Sequence, residues 1–187
     1  MSVPGDYDGD GSADIGVFRA SNGSWYVLAT SGGVETVNWG MAGDVAVPGD
    51  YDGDGTTDVA VYRPPNGNWY ILGTTGVVEV VNWGIGNDKP VPADYDGDGK
   101  TDVAVFRPSD GVWFIVGTTS GAHVISWGTT GDLPVPGDYD GDGMTDVAVF
   151  RPSDANWYIL GTTGGIQIVN WGIAGDVPIP AMYVPHY

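Results

Sequence analysis

Residues 47–90 read VPGDYDGDGTTDVAVYRPPNGNWYILGTTGVVEVVNWGIGNDKP, and the chain repeats this stretch along its length. Val3, Val47, Val91, Val135 and Ile179 stand 44 residues apart, and the units starting at Val47 and Val135 share 32 of 44 positions. A period of this size marks one supersecondary unit that is copied, each copy burying a face its neighbour supplies. Within residues 47–90, three runs read as strands: 58–63 (DVAVYR), 69–72 (WYIL) and 78–83 (VEVVNW). They are β-branched and aromatic, and Gly, Pro, Asn and Thr turns bound them. A shorter run precedes each acidic loop, as at 45–50 (VAVPGD) and 133–138 (LPVPGD). Proline donates no ladder hydrogen bond, so this fourth strand belongs at a sheet edge. Apolar side chains occupy both faces of the other strands, so each sheet is expected to lie between neighbours. No segment keeps a 3.6-residue apolar period, which excludes helix.

Four strands per 44 residues predict an all-β fold, a β-propeller of four four-stranded antiparallel blades. A β-solenoid is the competing architecture, but its coils are usually shorter. The small residues Gly16, Ala60, Ala104 and Ala148 suit a crowded inner strand. The expected organisation is a single propeller domain over 3–180, with repeats 3–46, 47–90, 91–134 and 135–178. Residues 179–187 form a surplus C-terminal edge strand that caps the last blade, closes the ring or pairs with another chain. Repeat arrays commonly carry such atypical ends.

DYDGDG occurs at 6–11, 50–55, 94–99 and 138–143. In the first loop Asp6, Asp8, Asp10 and Asp14 take positions 1, 3, 5 and 9 of the calcium-loop spacing, and Gly11 takes the sharp turn at position 6. Ser12, at position 7, offers its backbone carbonyl. Val17 stands where an EF-hand places its bidentate glutamate, so the aspartate at position 9 must ligate directly. The equivalent ligand sets are Asp50, Asp52, Asp54, Thr56 and Asp58; Asp94, Asp96, Asp98, Lys100 and Asp102; and Asp138, Asp140, Asp142, Met144 and Asp146. Two carboxylates 4 Å apart repel by about 1 kcal/mol in water and about 4 kcal/mol at an effective dielectric of 20. Four in one short loop call for a cation. An all-oxygen set selects a hard ion, Ca²⁺ before Mg²⁺. Four Ca²⁺ ions are therefore expected, one per repeat.

The charge balance points the same way. Six basic and 24 acidic side chains give a net charge of −18, and 16 of the acids lie in the four loops. Such a chain repels nucleic acid and anionic membranes. No apolar run reaches the roughly 20 residues a membrane helix needs. Cysteine is absent, so there is no disulfide or thiol chemistry. No signal peptide is expected within this chain, which reads as a mature segment.

The motif DxDGDGxxD followed by VAVFRP resembles the FG-GAP/VCBS-type repeat, the calcium-binding blade of integrin α-subunit propellers and many bacterial surface proteins. The resemblance runs from Val3 to about Pro180. It implies four-stranded blades with calcium between the first two strands, and it carries the metal role onto Asp6, Asp8, Asp10, Asp14 and their equivalents. It also implies a secreted or cell-surface protein that binds a glycan or a protein ligand. Family propellers usually have about seven blades, and this chain has four. A monomeric four-bladed ring, a homodimer completing an eight-bladed ring and an open fibre all remain.

Eight tryptophans fall in two registers, Trp25, Trp69, Trp113, Trp157 and Trp39, Trp83, Trp127, Trp171. Packing between blades is the first expectation. Stacking on sugar rings, by the second register, is the other. Arg19, Arg63, Arg107 and Arg151 are expected to pair with aspartates of the Asp44, Asp88, Asp132, Asp176 series. His123 and His186 have no counterparts in other repeats, and no catalytic motif is present, so no enzyme is expected. The resulting expectation is a calcium-stabilised, non-catalytic extracellular binding or adhesion module. The alternative is a structural, self-assembling scaffold or fibre subunit with no small ligand.

Overall fold

Each 44-residue repeat folds into one antiparallel meander, as the alternation of strand runs and glycine turns requires. The computed structural model describes residues 1–179. The first sheet holds β1 (Ile15–Arg19), β2 (Ser24–Leu28) and β3 (Val34–Asn38), in that order. Its fourth, edge position is held by Ser2, bridged to Val17. The second sheet runs β4 (Val45–Ala46), β5 (Val59–Arg63), β6 (Asn68–Leu72), β7 (Val78–Asn82). The third runs β8 (Lys89–Pro90), β9 (Val103–Arg107), β10 (Val112–Gly117), β11 (Gly121–Ser126). The fourth runs β12 (Leu133–Pro134), β13 (Val147–Arg151), β14 (Asn156–Gly161), β15 (Gly165–Asn170). There is no helix among the described residues. Strand order and connection are those of a propeller blade, repeated four times. The surplus C-terminal strand expected over 179–187 falls, from residue 180 on, outside the described residues; Ile179 itself is not in a strand.

Edge strands are short because of proline. Pro90 and Pro134 end β8 and β12. In the second sheet, Val47 adds one further bond, its amide to Ala60 O at 2.9 Å, before Pro48 ends the ladder. The ladder resumes only at the Gly49–Asp58 bridge, with the acidic loop between. The sequence places Asp58 inside a strand; here it leads into β5, because its side chain serves the loop.

Burial declines from the inner strand outward. β5, β9 and β13 are buried over four of five residues. The third run, expected to lie between neighbours on both faces, is instead exposed: Val78 and Val80 are 53% and 54% accessible. The outer strands β3, β7, β11 and β15 keep most of their residues exposed.

The chain divides into two compact units, residues 1–86 and, among the described residues, 87–179. Each holds two sheets. In the first unit, the Trp39 indole N–H reaches across to Tyr70 O in the second sheet, at 3.0 Å. The Thr57 amide donates to Asp6 O at 2.6 Å. In the second unit, Trp127 Nε1 donates to Tyr158 O at 3.0 Å and the Thr145 amide to Asp94 O at 2.7 Å. Val147 and Val149 there join a core with Val91, Phe106, Trp113 and Ile115.

Trp25, Trp69 and Trp113 are wholly buried. Each leans on the aromatic ring opposite it, as Trp69 does on Tyr62 at 5.4 Å and 52°. A buried indole N–H needs an acceptor. It finds one 14 residues on, at Trp39 O, Trp83 O or Trp127 O, 2.8–2.9 Å away. Packing is thus the role of these three tryptophans of the first register, while Trp157 is half-buried.

Candidate metal centres

The loop between edge strand and second strand folds around its first aspartate. Asp50 Oδ1 accepts the amides of Gly53 and Asp54 at 2.7 and 3.2 Å, and its Oδ2 accepts that of Gly55 at 2.8 Å. Gly53 and Gly55 take φ of 80° and 87°, left-handed values that an L side chain resists. Asp54 Oδ1 accepts the Thr56 amide. Asp58, 1% exposed, accepts the Tyr51 amide at 2.8 Å and the Thr74 amide at 2.9 Å. The first loop repeats all of these contacts, and the third and fourth repeat those of the glycine, tyrosine and threonine amides; the tyrosine hydroxyls donate back to Val3, Val47, Val91 and Val135 carbonyls at 2.7–2.8 Å.

Carboxylates converge as a result. Asp50, Asp52 and Asp58 bring ligand oxygens within 4.8 Å of one another, as do Asp94, Asp96, Asp102 and Asp138, Asp140, Asp146. In the first loop the converging set is Asp6, Asp8 and Asp10. Four aspartate clusters, one per repeat, could therefore hold a metal ion. Three clusters contain a buried carboxylate oxygen with no hydrogen-bond partner: Asp52 Oδ2, Asp96 Oδ1 and Asp140 Oδ1. An orphaned buried anionic oxygen is costly, and a hard cation is what would satisfy it. The donor set present thus fits a hard divalent ion.

The position-5 aspartates outside the first loop, Asp54, Asp98 and Asp142, lie outside these clusters and bond Thr74, Thr118 and Thr162 hydroxyls. Asp14 likewise lies outside its cluster, holding the Tyr7 and Thr30 amides at 2.8 and 2.7 Å. Ser12, Thr56, Lys100 and Met144 donate their amides to the position-5 carboxylates.

Hydroxyls from the β2–β3-type hairpin are the functional residues that the acidic motif does not announce. Thr30 and its equivalents cap positions 5 and 9; Ser31, Thr119 and Thr163 bond Asp8, Asp96 and Asp140. Their signal was the recurring GTT at 73–75, 117–119 and 161–163.

Neighbouring carboxylates are driven apart in acidity. Burial pushes Asp58 and Asp102 up, against the pull of their amide donors, and nearby Asp52 and Asp96 charges add to the rise. The Thr74 hydroxyl pulls Asp54 down. Asp140 is lowered by the Gly164 and Thr163 amides. Burial also raises the tyrosines beneath, Tyr139 to about 12. A loop whose members disagree over their protons is one that a metal charge would reconcile.

The arginines sit apart from these clusters. Arg63, Arg107 and Arg151 clamp Asp44, Asp88 and Asp132 in bidentate fashion at 2.8–2.9 Å. Each also lies 4.1–4.2 Å from an aromatic ring centre, Tyr70, Phe114 or Tyr158. Of the two histidines, His123 lines a 530 Å³ cleft in the second unit with Tyr95, Asp96, Ile115, Met144 and Leu160. His186 lies outside the described residues.

Among the described residues no helix is long and apolar enough to cross a membrane. No curated protein matches the chain. A family model described as the FG-GAP-like repeat matches residues 50–105 and 94–149. These overlapping matches span residues 50–149, more than half of the 187 residues, and with four copies of the motif and of the sheet, the chain belongs to the FG-GAP-like repeat family.

Proposed function

We propose that this chain is a calcium-stabilised, non-catalytic extracellular module that binds a protein ligand through its repeats. The family is an adhesion- and binding-type repeat, typical of extracellular proteins. The observation that carries the calcium reading is the orphaned carboxylate oxygen in three of the four clusters. Calcium suits the site because it tolerates irregular oxygen cages that water completes, where Mg²⁺ demands an octahedron. In this reading the ligands are the sets of the sequence analysis, with Asp58, Asp102 and Asp146 direct. The ion's role is structural. Asp6 and Asp94 each lend a main-chain carbonyl to the next sheet of their unit, so ordering the loop orders the contact between sheets.

A protein ligand is favoured over a glycan by the fate of the tryptophans. Three of the first register are buried, and Trp39 and Trp127 spend their indole N–H groups on neighbouring sheets. The mostly apolar cleft beside Asp96 is where such a ligand would dock. Two measurements test the reading. Calcium titration by calorimetry, with thermal melting in calcium and in chelator, should give about four sites and a higher midpoint with the ion. No binding heat and an unchanged midpoint would refute the metal role. A glycan array probed with and without calcium should stay blank; a calcium-dependent sugar signal would make the module a lectin.

A further inference from the structure

The repeat leaves two opposite charges over. Arg63, Arg107 and Arg151 each clamp an aspartate 19 residues upstream whose side chain is at most 1% exposed. Arg19 has no carboxylate partner among the described residues; its Nη1 donates to Tyr26 Oη at 2.7 Å. Asp176, the fourth aspartate of the series, has no cationic partner among the described residues and accepts the Ile173 amide at 2.9 Å.

Two apolar faces are left over beside these charges. On the first sheet, Ile15 and Val17 are exposed, whereas their counterparts Val59, Val61, Val147 and Val149 are buried, and Leu28 is exposed where Leu72 and Leu160 are half-buried. On the fourth sheet, Trp171 is 76% exposed, whereas its counterparts Trp39 and Trp127 are anchored to the next sheet of their unit. Trp171 also rims a cleft of 350 Å³ with Phe150, Trp157, Asp176, Val177 and Ile179. The first face matches what every buried interface presents on one side, and the second what it presents on the other.

The chain between them has the form of an edge strand. Residues 177–179 (VPI) occupy the repeat positions of Val45–Ala46 and Leu133–Pro134 with the valine that follows each. In three sheets the second residue of that strand pairs with the same inner-strand position: Ala46 with Val61, Pro90 with Val105, Pro134 with Val149. The next such pair is Pro178 with Val17. Within this chain that seat is held by Ser2, with the Val3 amide on Gly16 O at 2.9 Å.

We propose that a second copy of this chain docks head to tail, residues 177–179 of one copy taking the β1 edge of the other in place of Met1–Val3. Asp176 of one copy then clamps Arg19 of the other, and the Trp171 indole donates to the Tyr26 carbonyl, the counterpart of Tyr70 O. Ile15, Val17 and Leu28 cover the cleft beside Trp171. The argument is continuity: the contact repeats, residue for residue, the interfaces already built within each unit. It is heterologous, so two copies close it reciprocally or further copies extend it.

Light scattering in calcium and in chelator, combined with paired substitutions, tests the docking independently of the metal reading. The expected mass is a multiple of 19.5 kDa. Arg19→Asp or Asp176→Arg alone should weaken association at least about tenfold, and the double swap should restore it. Both side chains are exposed, so circular dichroism should report unchanged folding. The chain has no cysteine, so Val17→Cys with Pro178→Cys gives a clean trap, and residues directly opposed on antiparallel strands lie within disulfide reach. A covalent multimer on a non-reducing gel, lost on reduction, supports the docking. A monomer in both solutions, or a cross-link confined to a single chain, overturns it, whatever calcium does to the melting point.

Discussion

At the scale of single residues, the acidic loops hold more negative charge than their own hydrogen bonds can settle. Asp52 illustrates the point: its buried Oδ2 has no donor, and Asp50 and Asp58 stand close by. Asp52→Asn should therefore act in opposite directions on the two forms. Without metal it relieves repulsion, and the midpoint should hold or rise. With calcium 100-fold above its dissociation constant, the loss of one independent site should remove about 2.7 kcal/mol of stabilisation. Paired melts in calcium and chelator would read both, and a fall of equal size in the two would make Asp52 a purely structural residue. Acidity adds a second prediction. Asp58 and Asp102 are raised by burial, so the folded, metal-free chain holds their protons to higher pH than the unfolded chain does. Their contribution to metal-free stability thus falls as pH rises from the unfolded value through the folded one. Calcium must displace those protons, so its affinity should begin to drop, on acidification, above the ordinary carboxylate range. Calorimetric titration at a series of pH values from the ordinary carboxylate range upward is the check. The aspartate clusters were legible because each draws its carboxylates from one short loop at fixed local spacing. Thr74 and its kin were not, because they reach Asp58 and Asp54 from 16 and 20 residues away, through a hairpin only the fold brings near.

At the scale of elements, the question is what keeps a two-residue edge strand in place. β4 gives only the pairs Val45 to Tyr62 and Ala46 to Val61. The Arg63 clamp on Asp44 fastens the start of that strand to the end of β5, and stacking on Tyr70 holds the guanidinium in plane. Asp44 is buried, so removing its partner strands a charge. Arg63→Met should cost about 3–5 kcal/mol, far more than a surface ion pair is worth. Adding Asp44→Asn should recover much of the loss, since the stranded charge and not the missing attraction dominates. Urea midpoints of the two variants decide; equal losses would show that the clamp matters only for its packing. The strands themselves were legible from β-branched runs and glycine turns, and proline placed the edges correctly. Two features were not. Asp58 looked like a strand residue because DVAVYR is continuous, yet loop bonding removes it from β5. The outer strands looked buried because VEVV carries valines, yet Val78 and Val80 face water. Pattern reports which side chains are apolar; whether anything covers them belongs to tertiary geometry.

At the scale of the whole molecule, charge governs. A net charge of −18 on 187 residues is a self-repulsion that folding concentrates, because 16 of the 24 acids are gathered into four loops. Four divalent ions carry eight positive charges, which would bring −18 to −10 and place the compensation where the repulsion is greatest. Salt can do part of the same work, less selectively. At 0.1 M the screening length is about 10 Å, longer than the spacing within one loop, so simple ions relieve repulsion between loops better than within them. Added sodium chloride should therefore raise the melting midpoint of the chelated chain. In calcium the same addition should raise it much less, because the charges left are fewer and more dispersed, and added salt also weakens the ion's attraction to its cage. The measurement is the midpoint against salt concentration, in chelator and in calcium. A steep slope in chelator that flattens in calcium places the ions in the acidic loops. Parallel slopes would mean that calcium, if it binds, leaves the charge of the loops unrelieved, and the origin of its stabilisation would have to be sought elsewhere in the fold.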